Sequence, residues 1–237
     1  SSQGNGVVTT RQYDPATGRL EYQNASLLGV NQIQDLTYQW DNLGNLDYRQ
    51  DKSGGKDLLE DFEYDALNRL KRAQVNGREA QTLNYNGFGN ITYKSDVGYY
   101  HYSGEDECTA SAGPHALCAT SDADTREVTA TYEYDANGNM TSDSSGRSLR
   151  YSTFDKPLEI SKDGHTTEFA YGVDRSRYLR IDTDSNGNWT ETRYIGNVEK
   201  ITRSDGSSEV KRYLPGGTVV TIADGEQITR YLHKDHL

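Results

Sequence analysis

Apolar and polar residues alternate with a period of two in the second half of this chain. Thr166-Thr167-Glu168-Phe169-Ala170-Tyr171 and Glu209-Val210-Lys211-Arg212-Tyr213-Leu214 approach the inside-outside pattern of strands with one buried face. No segment of useful length shows helical spacing, and Pro is scarce inside the apolar runs. Between the runs stand Asp163-Gly164, Asn186-Gly187, Asp205-Gly206 and Asp224-Gly225, with Asn76-Gly77 in the first half. Such dipeptides supply the positive φ angles of a type I′ turn, whose twist suits paired strands, so the pattern predicts a succession of antiparallel hairpins.

A second signal overlies the first. An aromatic residue, usually followed by Asp, precedes a polar gap, then Gly or Asn, then Asn or Arg, then an aliphatic residue. It reads Tyr13-Asp14-Pro15-Ala16-Thr17-Gly18-Arg19-Leu20, Trp40-Asp41-Asn42-Leu43-Gly44-Asn45-Leu46, Tyr64-Asp65-Ala66-Leu67-Asn68-Arg69-Leu70, Tyr85-Asn86-Gly87-Phe88-Gly89-Asn90-Ile91 and Tyr134-Asp135-Ala136-Asn137-Gly138-Asn139-Met140. Units repeated every ~20 residues bury their apolar faces only by stacking on neighbours, so the repeat specifies an array. Each Asp is expected to accept backbone N–H bonds within its turn, while the aliphatic residue after it re-enters the core.

These residues resemble the YD repeats of Rhs and wall-associated polymorphic toxins, of the C subunits of insecticidal Tc toxin complexes, and of teneurins. Tyr151-Ser152-Thr153-Phe154-Asp155-Lys156-Pro157-Leu158, Tyr194-Ile195-Gly196-Asn197 and Tyr231-Leu232-His233-Lys234-Asp235-His236-Leu237 resemble segments that precede the core of Rhs proteins. The resemblance implies a long β-sheet that spirals into a hollow shell and holds a C-terminal toxic domain until delivery. It also implies an autoproteolytic core with Asp-Pro motifs, which this chain lacks. The expected architecture is therefore all-β: a repetitive antiparallel hairpin meander forming a long, twisted, curved open sheet. With about ten repeat units it would be an incomplete piece, its edge strands pairing with further repeats of the parent protein.

Composition alters this picture at three points. A hydrophobic fraction of 33% and a net charge of -11 would ordinarily favour disorder, but 18 tyrosines reverse the inference. A Tyr ring buries a large apolar area while its hydroxyl stays at a wet edge, so aromatic rows can hold a thin sheet together. The acidic surface disfavours nucleic acid and anionic lipid, and no run of about 20 apolar residues is present to span a bilayer. No charged segment followed by an apolar one opens the chain, and its Ser1-Ser2-Gln3 start suggests a piece of a longer polypeptide. Cys108 and Cys118 flank a short Gly/Ala/Ser/Pro-rich stretch, which favours a disulfide and an oxidising compartment over two free thiols. A metal pair is disfavoured because His115 is the one nearby candidate ligand. Residues 103–127 read as a protruding loop, 1–10 as a ragged terminus and 11–237 as the array.

The carboxylates invite catalytic readings that the repeat argues against. Asp14, Asp41, Asp65 and Asp135 share one motif position, and a residue present in every unit is a turn former rather than a catalyst needed once. Asp182-Thr183-Asp184-Ser185-Asn186-Gly187-Asn188 resembles half of a calcium loop, yet Arg193 stands where the bidentate Glu belongs. That leaves at most a weak calcium site at Asp182, Asp184 and Asn186. His233 and His236, three apart on a strand, would point to opposite faces. No Gly-x-Ser-x-Gly elbow or phosphate-cradling loop is present, so no catalytic residue, cofactor or metal site is assigned. Asn24-Ala25-Ser26, Asn90-Ile91-Thr92, Asn139-Met140-Thr141 and Asn188-Trp189-Thr190 match the glycosylation triplet common in such repeats. The sequence thus reads as a non-enzymatic shell segment of a secreted or surface-bound bacterial toxin, whose partners are the remaining repeats, core and toxic domain. The alternative is a glycan-binding adhesive module, for which exposed Trp40 and Trp189 would be the stacking residues.

Overall fold

The computed structural model describes residues 3–27, 29, 31–104, 108 and 113–232, and in it the chain is all-β. Its described residues divide into two compact units, one up to residue 98 and the other from residue 99 to 232. The first holds β1 (Val7–Tyr13), β2 (Leu20–Leu27), β3 (Asn31–Trp40), β4 (Leu46–Asp51), β5 (Leu58–Tyr64), β6 (Leu70–Val75), β7 (Gln81–Tyr85) and β8 (Ile91–Lys94). Every strand pairs antiparallel with the next in the chain. A 3-10 turn, Ser53–Gly55, interrupts the meander.

The second unit continues the same way. Its strands are β9 (Gly98–Tyr102), β10 (Leu117–Ser121), β11 (Val128–Tyr134), β12 (Met140–Asp143), β13 (Ser148–Tyr151), β14 (Pro157–Lys162), β15 (His165–Tyr171), β16 (Arg177–Thr183), β17 (Trp189–Ile195), β18 (Val198–Arg203), β19 (Ser208–Leu214), β20 (Thr218–Ala223) and β21 (Glu226–Tyr231). They too pair antiparallel, each with its successor. Among the described residues no pairing returns the last strand of either unit to its first, so both sheets are open. No helix of the described residues is long and apolar enough to cross a membrane.

The core is thin, as a chain poor in aliphatic residues requires. In the first unit Leu20, Leu36 and Tyr38 form a buried cluster against which Trp40 and Leu46 pack. Gln23 lies fully buried nearby, its side chain accepting from Arg11 Nε at 2.6 Å and donating to Gln34 Oε1 at 3.0 Å, so its burial leaves no orphaned polar group. In the second unit Cys118, Ala119, Thr120 and Ser121 of β10 are buried. Cys118 is bonded to Cys108, with their Cα atoms 5.5 Å apart.

Several turns differ from the sequence reading. Asp163-Gly164 and Asp224-Gly225 are two-residue tips with both φ positive, between the pairs Lys162↔His165 and Ala223↔Glu226. Asn186-Gly187 and Asp205-Gly206 instead lie inside five-residue turns closed by Thr183↔Trp189 and Thr202↔Ser208, with positive φ confined to the glycine. At Asn76-Gly77, too, Gly77 alone has positive φ. The expected loop at 103–127 contains β10 and a tight turn, while 105–107 and 109–112 lie outside the described residues. Strand β1 takes in Val7–Thr10, which were read as terminus.

Candidate functional site

Each aromatic-Asp motif closes a hairpin with the same hydrogen bonds. In the turn between β3 and β4, the Asp41 N–H donates to Asn45 O at 2.9 Å and the Gly44 N–H to Asp41 O at 3.1 Å. The Asp41 carboxylate bends back over its own turn: Oδ1 accepts from the N–H groups of Leu43 and Asn45 at 2.9 and 2.8 Å, and Oδ2 from the Asn45 amide at 2.8 Å. Asp65 does the same, with Oδ1 taking the N–H groups of Leu67 and Arg69 at 2.9 and 3.0 Å and Oδ2 the Arg69 Nε at 2.7 Å. Asp135 repeats the set with Asn137 and Asn139, and Asn86 holds Phe88 and Asn90 through its amide oxygen. Asp14 spans a turn longer by one residue, accepting from Ala16 at 2.7 Å and Thr17 at 3.3 Å. In every case the register shifts by a residue just before the aromatic, which then opposes the aliphatic residue beyond the turn, as in Trp40↔Leu46, Tyr64↔Leu70 and Tyr134↔Met140.

Electrostatics follow from this geometry. The Asn45 side chain, with backbone N–H groups behind it, holds the Asp41 carboxyl below the ordinary value of 3.8. The Arg69 side chain does so for Asp65, the Asn139 side chain for Asp135, and the Ala16 backbone N–H for Asp14. These carboxylates are ionised acceptors with their lone pairs taken up by their own turns.

Three further turns of this kind carry no aromatic before the Asp and escape a search keyed on it. Asp184 takes the N–H groups of Asn186 and Asn188 and the Asn188 amide, each at 2.9 Å, which makes the supposed calcium half-loop another motif turn. Asp182 is engaged by Thr167 Oγ1 at 2.8 Å and by Arg180. Asp143 takes Ser145 and Arg147, and Asp122 takes Asp124 and Thr125 in a six-residue turn like that of Asp14. Even a small signal marks the latter pair: Thr17 and Thr125, three residues after their Asp, each accept from the N–H two residues on. His233, Asp235 and His236 lie outside the described residues. Among the described residues no group of three His, Cys, Asp or Glu side chains is disposed to hold a metal ion.

The aromatic of the motif couples one unit to the one before. Trp40 Nε1 donates to Leu20 O at 2.8 Å, Tyr64 OH to Leu46 O at 3.0 Å and Tyr85 OH to Leu70 O at 2.7 Å. Each acceptor is the exit residue of the preceding motif. In the second unit Tyr134 OH reaches Leu117 O at 2.6 Å and Tyr171 OH reaches Pro157 O at 2.8 Å. Burial pushes the Tyr64, Tyr134 and Tyr171 phenols up, the mark of rings withdrawn from water with their hydroxyls still satisfied. The turns are also bonded laterally: Arg19 Nη1 donates to Asp41 O at 2.9 Å, Asn45 Nδ2 to Asn68 Oδ1 at 2.9 Å and Arg69 Nη1 to Asn86 O at 3.3 Å. The Arg69 guanidinium lies 4.5 Å over the Tyr85 ring. Of the two tryptophans, Trp40 is half-buried in this ladder, whereas Trp189 is 40% exposed beside a surface groove lined by His165, Asp182, Asp184, Thr190 and Ser204.

No protein-family model and no curated protein matches the chain. Solved structures do share its fold. The crystal structure of TcdB2-TccC3-TEV superposes over 99% of this chain with a TM-score of 0.76 and 18% identity. That of TcdB2-TccC3-Cdc42 does so over 99% with a TM-score of 0.77 and 17% identity, and that of TcdB2-TccC3 without its hypervariable C-terminal region over 95% with 0.73 and 18%. The chain spans 14%, 14% and 13% of the length of those chains respectively.

Proposed function

We propose that this chain is a length of wall in a bacterial toxin shell: YD-repeat sheet that helps enclose a C-terminal toxic domain of the same polypeptide. The observation that carries this reading is the likeness of fold to TcdB2-TccC3 along nearly the whole chain. The motif chemistry supports it, because the repeated Asp side chains hold their own turns and Trp40, Tyr64, Tyr85 and Tyr134 bond to backbone carbonyls of neighbouring strands. On this reading the segment has no enzymatic activity, its partners are the remaining repeats, the core and the toxic domain, and its place is outside the bacterial cell. The Cys108–Cys118 disulfide suits an oxidising compartment.

The test is protease protection of the cargo in the complete polypeptide that carries this segment. Enclosure requires the C-terminal domain to survive protease concentrations that digest it once the repeat sheet is unfolded. Equal digestion in the two states would remove the reading. Glycan binding has one observation in its favour, the exposed Trp189 ring beside polar groove residues, while the Trp40 indole N–H is already bonded within the sheet. Binding on a glycan array that Trp189→Ala abolishes would favour adhesion instead.

A further inference from the structure

One motif turn departs from the other four in two adjacent places. Where they have Asp14, Asp41, Asp65 and Asp135, it has Asn86, and where they continue with Pro15, Asn42, Ala66 and Ala136, it has Gly87. The backbone does not call for that glycine. Gly18, Gly44, Gly89 and Gly138 of the motif turns have positive φ, whereas Gly87 does not, and a Cβ built on Gly87 would meet nothing within 4 Å. What the missing Cβ does leave open is the approach of the Gly87 nitrogen to the Asn86 side chain.

The Asn86 carboxamide is set for that approach. Its Oδ1 accepts from the N–H groups of Phe88 at 3.0 Å and Asn90 at 3.1 Å, which folds the group back over its own turn and polarises its carbonyl. Among the described residues, neither Asn86 Nδ2 nor the Gly87 N–H makes a hydrogen bond, so the attacking and the leaving nitrogen are both unrestrained. The other Asn-Gly pairs are held. The N–H groups of Gly6, Gly138 and Gly187 donate to Gln3 O, Asp135 O and Asp184 O, each at 3.0 Å. Asn76 is tied at both ends of its amide, accepting from the Leu59 N–H and donating to Asp57 O at 3.0 Å.

We infer that Asn86 is a self-modification site, converted to aspartate in the folded chain by the Gly87 backbone nitrogen. That nitrogen gives its proton to solvent and bonds to Asn86 Cγ, while the carbonyl electron pair moves onto Oδ1, where the Phe88 and Asn90 N–H groups hold it. The carbonyl re-forms, the Cγ–Nδ2 bond breaks, and the side-chain nitrogen leaves as ammonia with a proton from solvent. The resulting five-membered imide takes up one water: its hydroxyl adds to Cγ, the Cγ–N bond opens, and the Gly87 nitrogen recovers its proton. One water enters and one ammonia leaves, with no oxidant or cofactor. Opening at the backbone carbonyl would instead give isoaspartate, with a main chain longer by one methylene. The bonds to Asn86 O from the Gly89 N–H at 3.1 Å and Arg69 Nη1 at 3.3 Å belong to the normal linkage, so the fold favours aspartate. The product is the carboxylate that the other four motif turns already carry.

Peptide mass mapping of the folded chain during incubation at mildly alkaline pH tests this. Asn86 should gain one mass unit well before Asn76, Asn137 and Asn186, with aspartate as the main product. In denaturant, where the turns are gone, the four rates should converge and isoaspartate should prevail. Gly87→Ala should slow the change about tenfold by crowding the attacking nitrogen, with an unchanged circular dichroism spectrum and melting midpoint. The inference is overturned if Asn86 keeps its amide while another of these pairs converts, or if its lead is as large in denaturant. Conversion as fast in the Gly87→Ala chain would overturn it as well.

Discussion

The turn at 41–45 and the turn at 172–176 have the same backbone but not the same side chains. Gly172 donates to Ser176 O and Arg175 to Gly172 O, both at 2.9 Å, matching the bonds of Asp41 and Gly44 with no carboxylate at the first position of the turn, the nearest one being Asp174, which takes the Ser176 N–H at 3.0 Å. Arg175 adopts φ 61 where Gly44 has φ 97. What both turns keep is the aromatic ahead of them: Trp40 bonded to Leu20 O, and Tyr171 to Pro157 O. The Asp reinforces a turn whose shape the strand register and one left-handed residue already impose, while the aromatic ties the unit to its neighbour.

That ranking can be broken experimentally. The largest loss should come from Tyr64→Ala, which removes a half-buried ring and its bond to Leu46 O. About 2–3 kcal/mol is expected from denaturant titration, with Tyr64→Phe losing about 1 kcal/mol. If Asp65→Ala proved more damaging than Tyr64→Ala, the ranking would be inverted. Next comes Gly44→Ala, since a Cβ there would stand 2.6 Å from Arg19 Nη2 at a φ of 97°, costing about 1–2 kcal/mol. Asn68→Gly, at the equivalent place, should be nearly neutral by the same measurement.

Acid should test the carboxylate at the first position of the motif turns. Asp41, Asp65 and Asp135 have carboxyls lowered in the folded state, so their contribution is complete above the unfolded value of 3.8 and is lost as pH falls through the folded values. Melting midpoints should therefore drop below about pH 4, and less so in an Asp41→Asn, Asp65→Asn, Asp135→Asn variant. Equal drops would discharge these carboxylates of the role. The smallest effect is a gain: Asn86→Asp, beside Arg69, should strengthen the bonds to Phe88 and Asn90 and raise the midpoint slightly at neutral pH.

The hairpin meander was legible because strand alternation and turn residues are local signals. The motif turns at Asp41, Asp65 and Asp135 stand where the repeat places them, with the aromatic as a flag. Asp122, Asp143 and Asp184 were hidden because Ser121, Ser142 and Thr183 precede them, although Asp184-x-x-Gly187-Asn188 retains the spacing of Asp41-x-x-Gly44-Asn45. That context also separates Asn186-Gly187 from a two-residue tip. The carbonyls of Leu20, Leu46 and Leu70 could not be read as acceptors, since pairing across units depends on register rather than on residue type.

The reach of each aromatic is one unit and no more. Within a unit of the fold, the sheet is therefore a row of nearest-neighbour couplings, the physical situation of a one-dimensional lattice. Such a lattice melts inward from its free ends, and amide exchange should be fastest at the outermost hairpins and slow toward the middle. It also has no preferred length. A pair of strands could be inserted or lost by recombination without any other residue having to change, which makes the dimensions of the sheet an evolutionary variable rather than a fixed property of the fold.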